Sequence, residues 1–180
     1  ITAIVEQEKA LEDSQYQFKN KRDFYRRLLD NTADLVWAKD LKGKYLFANK
    51  AMAEKLLIAD LKEIKGKTDL FFAQRQRNLN PEQNDFHTFG EICADTDTSV
   101  INDPSRTHQF DEYGNVKGEF LFLDVNKSPL FDDEGKMIGT VGSGRVVTKE
   151  KQIETALKKN EKKFRSFFEN NSAVMIHVNP

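Results

Sequence analysis

The sequence predicts an α+β fold: a five-stranded antiparallel sheet with short helices on one face, flanked by N-terminal and C-terminal amphipathic helices. Three observations predict it. Short apolar, β-prone runs come in pairs joined by tight polar turns, and strands joined so closely must be antiparallel. The short helical segments are grouped between two blocks of strands, which gives a single helical layer on a single sheet. Both ends of the chain are charged and free of interior Gly, with apolar residues at helical spacing.

The elements follow in order. Residues 1–29 contain no Gly or Pro, and Ile4, Leu11, Phe18 and Tyr25 recur at heptad spacing. The companion positions Glu8, Gln15 and Arg22 are polar, so this helix has a narrow apolar stripe that fits either its own domain or a dimer seam. Asn31–Asp34 breaks it. Leu35–Ala38 reads as a strand, Asp40–Lys44 as a turn and Tyr45–Ala48 as the returning strand. Asn49 caps a short helix reaching about Leu57. Gly66–Asp69 and the apolar Leu70–Phe72 come next. Asn80–Gln83, with Pro81 at the first helical position, reads as the start of a helix that carries Phe86, Phe89, Cys93 and Val100 on one face. Strands are expected at 105–111, 117–127 and 136–147, with turns at Asp111–Asn115 and at Asp132–Gly135. Phe120–Leu123 is apolar on both faces, so a central strand covered on both sides is expected.

The last strand runs almost directly into a helix from Lys149. There Ile153, Leu157, Asn160, Phe164 and Phe167 alternate spacings of four and three, with Asn160 as a polar position able to fix register in a two-stranded coil. The stretch from Phe24 to Ala38 is echoed from Phe164 onward, where Phe24, Asn31 and Ala33 match Phe164, Asn171 and Ala173. The expected organisation is an N-terminal helix over 1–29, a domain over 30–148, a helical linker over 149–163, and the start of a second, truncated copy over 164–180. The chain opens on Ile1 and stops at Pro180, and is expected to be a piece of a longer protein.

Composition narrows the function. A net charge of −1 gives no electrostatic reason to expect nucleic acid as a partner. No apolar run is long enough to span a membrane within this piece, and the start lacks a signal-peptide pattern. Cys93 is alone, which excludes an intrachain disulfide and fits a cytoplasmic, reducing setting, the parent protein being free to carry an anchor elsewhere. His87, Cys93 and His108 lack metal-site spacing, so no metal is expected. Gly139–Gly144 lies within a strand and lacks the spacing of a dinucleotide loop. No catalytic constellation is present in the sequence, so the chain is not read as an enzyme.

Several of these segments, in order, resemble a PAS domain, the sensor module found in arrays ahead of bacterial sensor histidine kinases and diguanylate cyclases. Asp40-Leu-Lys-Gly-Lys-Tyr-Leu-Phe-Ala-Asn-Lys-Ala is similar to that family's hairpin and following helix, Gly66-Lys-Thr-Asp-Leu-Phe-Phe to its "GKTD..F" turn, and Lys127-Ser-Pro-Leu-Phe-Asp-Asp-Glu-Gly-Lys-Met-Ile-Gly-Thr-Val-Gly to its "K.PL.D..G...G..G" hairpin. The resemblance covers about residues 24–149. It departs at the exit, where such domains often end in Asp-Ile-Thr and this chain has Val146-Val-Thr148.

The resemblance implies a ligand pocket between the sheet and the short helices, with Trp37, Phe47, Phe71, Phe72, Phe86, Phe89, Cys93, Leu121 and Leu123 as candidate lining; the residue pattern alone equally fits a filled core. It implies either no cofactor or a small molecule. Flavin is disfavoured because the reactive-cysteine motif of flavin-binding members is missing, and haem because His87 and His108 are lone histidines. The expected signal relay is Val146, Thr148, Ile153, Leu157 and Asn160. The expected partners are a second copy, paired through the flanking helices, and downstream domains of the same chain. The expected role is sensing and dimerisation; the alternative is a ligand-free module that only sets dimer geometry.

Overall fold

The computed structural model describes residues 2–175, with side chains described for residues 7–169. It forms two compact units, Ile1–Val146 and Val147–Pro180.

The first unit opens with α1 (Thr2–Asp30), then β1 (Leu35–Asp40), β2 (Tyr45–Ala48) and α2 (Lys50–Met52), which runs on as a π-helical turn over Ala53–Leu57. Next come α3 (Leu61–Ile64), α4 (Asp69–Leu79), α5 (Phe89–Asn102), β3 (His108–Val116), β4 (Glu119–Phe131) and β5 (Met137–Val146). The sheet has the order β2-β1-β5-β4-β3, and every neighbouring pair is antiparallel. β5, the strand that leads out of the unit, is therefore the middle strand. The second unit holds α6 (Thr148–Met175).

Two hairpins use the same device. In Asp40–Lys44 and Asp132–Lys136 the Asp carboxylate accepts from the backbone N–H groups two and four residues on. The glycine in each turn, Gly43 and Gly135, adopts φ of 72° and 78°. The first turn joins β1 to β2 and the second joins β4 to β5, so short aspartate-glycine turns set the register at two places in the sheet.

Three sequence expectations change. The helix expected from Asn80 begins at Phe89. Asn80 instead closes α4, with its N–H on Arg77 O and its side-chain amide on Gln76 O. The turn expected at Asp111–Asn115 is part of an unbroken β3, whose register with β4 runs from His108↔Lys127 to Val116↔Glu119. The turn falls at Lys117–Gly118, both with positive φ, as a two-residue hairpin requires. Finally, Phe120–Leu123 is covered on one face: Leu123 is buried, while Phe120 is 53% exposed.

The core lies between the inner face of the sheet and the helices. It gathers Leu35, Trp37, Phe72, Phe89, Cys93, Leu123 and Val125 with Met52, Leu56 and Ile64. Asn49, fully buried, pins the layers together. Its Oδ1 accepts from Val36 N and Met52 N, and its Nδ2 donates to Leu29 O, Thr32 Oγ1 and Asp34 O. One side chain thus caps α2 and fastens the end of α1 to β1.

Candidate functional site: a charged interior

Inner-face positions along β1 are Leu35, Trp37 and Lys39, and along β4 Leu123, Val125 and Lys127. Period-two alternation therefore carries two lysines into the core. Each is about fully buried. Lys39 Nζ donates to Asp69 Oδ2 at 2.5 Å and to Asp97 Oδ2 at 2.6 Å. Lys127 Nζ donates to Asp97 Oδ1 at 2.8 Å, to Thr96 Oγ1 at 2.7 Å and to Cys93 O at 3.2 Å, and lies 3.0 Å from Glu112 Oε1. Tyr45 donates its hydroxyl to Asp69. Thr96 donates to Glu112 Oε1 at 2.5 Å and the Cys93 thiol to Glu112 Oε2 at 3.5 Å.

Each acid arrives for a local reason. Asp69 is the first residue of α4, behind its Thr68 cap. Cys93 and Asp97 are one helical turn apart on the buried face of α5. Glu112 points in from β3 opposite Leu123. Tyr45 reaches the cluster because β2 is bulged against β1: the register slips between Ala38 and Lys39, placing Tyr45 opposite Lys39 and turning Leu46 outward.

Two ammoniums thus face three carboxylates, and every carboxylate oxygen has a donor. Such a cluster is tolerated inside a protein only when its members are paired in this way. Burial works to discharge Lys39 and Lys127, but Asp69 and Asp97 beside the first, and Cys93, Asp97 and Glu112 beside the second, outweigh it and hold both ammoniums above the ordinary lysine range. Burial, and then Asp69, pushes the Tyr45 hydroxyl up, while burial and Glu112 push up the Cys93 thiol, so both remain protonated. The Trp37 ring lies beside both lysines, 5.9 Å from Lys39 Nζ and 5.6 Å from Lys127 Nζ.

The residues predicted to line a pocket divide. Trp37, Phe72, Phe89, Cys93 and Leu123 meet in the core around these charges, and Leu121 packs against its edge. Phe47 does not join them: it pairs with Ala38 on the other face of the sheet, beneath Arg26 of α1. Phe71 is 42% exposed, with Lys67 and Arg75 over its ring. Phe86 is half-buried beside the β3–β4 turn, where its carbonyl accepts from Gly118 N. Val146 packs against the core at the end of β5. Thr148 is the first residue of α6, on which Ile153, Leu157 and Asn160 are exposed.

The charged residues were missed in the sequence because charge was read as solvation. The signal was present in the alternation of Leu35, Trp37 and Lys39, and of Leu123, Val125 and Lys127. The histidines among the described residues are engaged by backbone: His87 through Nε2 with Leu56 O, and His108 through Nε2 with Asp103 O. Among the described residues no group of three or more His, Cys, Asp or Glu is arranged to hold a metal ion. A depression of about 230 Å³ between the β1–β2 turn and α5 reaches Asp69 and Asp97, and a second, of about 370 Å³, lies over Ile58, Val116, Leu121 and Val146.

Known proteins share this architecture. A PAS domain from Colwellia psychrerythraea superposes with a TM-score of 0.51 at 15% identity, over 71% of this chain and 97% of that one. The Vibrio cholera VqmA–ligand–DNA complex matches with a TM-score of 0.54 at 20% identity, over 68% of this chain and 50% of that one. A sensory box histidine kinase/response regulator from Burkholderia thailandensis gives 0.51 at 12% identity, over 79% and 98%. At these identities the likeness is one of fold. No curated protein matches the chain. The family model for the PAS fold matches residues 29–152, from the end of α1 to the first turn of α6. With well over half its length under that one model and its sheet and helical layer shared with solved PAS domains, the chain belongs to the PAS fold family.

Proposed function

We propose that this chain is a sensory and relay module of a larger signalling protein, passing a change in its sheet along α6 to a downstream output domain. The observation that carries the reading is continuity. β5 is the middle strand, it ends at Val146, and α6 begins at Thr148, with Lys151 N already bonded to Val147 O. A change in the spacing of the sheet has a direct covalent route into a helix.

The helix has a surface suited to pairing. Ile153, Leu157, Phe164 and Phe167 are 64–69% exposed along a heptad interrupted by Asn160. A homodimer paired through the flanking helices supplies the cover, and the output domain is a histidine kinase or a diguanylate cyclase in the cytoplasm. The former is the kind named for the Burkholderia neighbour. The second copy of the domain belongs to the same reading, its expected first strand falling largely outside the described residues.

A second reading, that the module holds no ligand and acts through its geometry, is favoured by a specific observation. The volume between sheet and helices, where Trp37, Phe72, Phe89, Cys93 and Leu123 meet, is filled by paired lysines and carboxylates. Two measurements test these readings. Inserting one to four residues after Lys151 in the parent protein is expected to modulate output with helical phase; output indifferent to phase defeats the relay. A native mass equal to the bare chain, with featureless visible absorption, supports the ligand-free reading, and a retained small molecule overturns it.

A further inference from the structure

Beside the two lysines the inner face of β5 presents Thr140, Gly142 and Gly144, with nothing larger than threonine until Val146 at its end. Its two neighbours cover it. Lys39 of β1 stands opposite Thr140, and Lys127 of β4 opposite Gly142. Above them Asp97 of α5 gives one oxygen to each lysine, Oδ2 to Lys39 at 2.6 Å and Oδ1 to Lys127 at 2.8 Å. The carboxylate therefore bridges β1 and β4 across the strand between them. The Trp37 ring fills the space that Gly142 leaves: a Cβ at that position would sit 2.5 Å from the ring.

We propose that Asp97 is a positioning residue that couples α5 to both neighbours of the outgoing strand, so that the position of this one helix sets the spacing of the two ladders that hold β5. This rests on the relay reading, and it locates the point at which the helical layer acts on the strand that continues into α6. Asp69 cannot do the same. Its partners are Lys39 and Tyr45, both on the β1–β2 side. Glu112 lies on the other side, where the lysine it faces is Lys127, beside Thr96 and Cys93. Asp97 is the carboxylate of the cluster that holds both lysines. A shift of α5 thus pulls on β1 and β4 together, whereas a change at Asp69 or Glu112 pulls on one side.

The test is amide hydrogen exchange on the complete 180-residue chain, read separately for the β1–β5 and β4–β5 ladders. Measured against the change common to all core amides, Lys39→Met is expected to speed exchange of the β1–β5 amides by about a further tenfold or more and to leave the β4–β5 amides at that common change. Lys127→Met is expected to give the converse pattern. Asp97→Asn, which keeps the shape and removes the charge, is expected to loosen both ladders, and Asp69→Asn to spare the β4–β5 ladder. Asp97→Asn at wild-type rates overturns the proposal, and so does the same pattern from both lysine variants, the signature of general destabilisation. If Asp97→Asn does not fold, the contrast between the two lysine variants decides. Because exchange is read on this chain alone, its outcome is independent of whether lengthening the linker alters output.

Discussion

A lysine in the middle of a strand would ordinarily mark a surface, and Lys39 and Lys127 mark the interior. The arrangement is stable as a set and vulnerable one member at a time. Removing one partner of a buried pair leaves an uncompensated charge in a medium that solvates it poorly. Lys127→Met, which abandons Glu112 and one oxygen of Asp97, is expected to lower unfolding free energy by about 3–5 kcal/mol in urea titrations. Adding Glu112→Gln should recover part of that loss, and a double variant whose loss equals the sum of the two single losses would show that the pair is uncoupled. The pH profile follows from the same residues. Cys93 and Tyr45 are raised on folding from ordinary values of 9.0 and 10.0. The unfolded chain therefore releases these protons first, and stability is expected to fall as pH rises past about 9, with Lys39 and Lys127 adding to the loss at higher pH. On the acid side burial lowers His87 from 6.5, and its Nδ1 has no partner among the described residues. The unfolded chain takes that proton while the folded one resists it, so stability should also fall below about pH 6.5. His87→Gln should flatten that arm between pH 5 and 7, and an unchanged arm would locate its origin elsewhere. These roles were legible only in part. The alternation of Leu35, Trp37 and Lys39 gives the face, but the partners of Lys39 come from α4 and α5, and no local pattern announces which helix will lie over which strand.

At the scale of elements, what was readable was what is local. Both aspartate-glycine hairpins and the Asn49 cap were visible because turn and cap chemistry acts over a few residues. Asn49 turns out to do more than cap, since it also holds the end of α1 and the start of β1. Asn49→Ala therefore removes a buried hub, with an expected loss of about 3 kcal/mol in thermal or urea unfolding and earlier proteolysis between α1 and β1. A loss under half that size would mean that water replaces the amide. The misreadings arose where two local signals competed. Asn80-Pro81 carries a helix-start pattern, yet Asn80 is already occupied in ending α4. Gly114 looked like a turn, yet it is a strand position kept small by Thr88 and Phe89, which press against it. Tyr45 and Phe47, which simple alternation would put on one face, fall on opposite faces because of the bulge opposite Lys39. Bulges of this kind depend on the neighbouring strand and leave no sequence mark of their own.

At the scale of the whole chain, the domain and the outgoing helix make different demands. The domain buries its apolar residues internally, whereas α6 leaves a row of them exposed. Leu157→Glu places a charge in that row and should shift sedimentation of the full chain from dimer to monomer while the melting temperature of the domain stays within a few degrees. A monomeric wild-type chain, or a dimer indifferent to the substitution, would move the seam elsewhere, α1 with its exposed Leu11, Phe18 and Tyr25 being the next surface to examine. The expected acid at position 146 also takes on meaning at this scale. Val146 joins the core instead of forming a polar latch, so the end of the sheet is held to the domain by packing.

The ring lying over Gly142 has a practical corollary. Trp37 is the sole tryptophan among 180 residues, it is 3% exposed, and it stands within 6 Å of both buried ammoniums. Its emission, excited beyond the range of tyrosine, is an intrinsic optical gauge of the charged interior. Any event that parts the lysines, admits water or moves α5 changes the field and the quenching at one indole, and can be followed in real time in the unlabelled molecule.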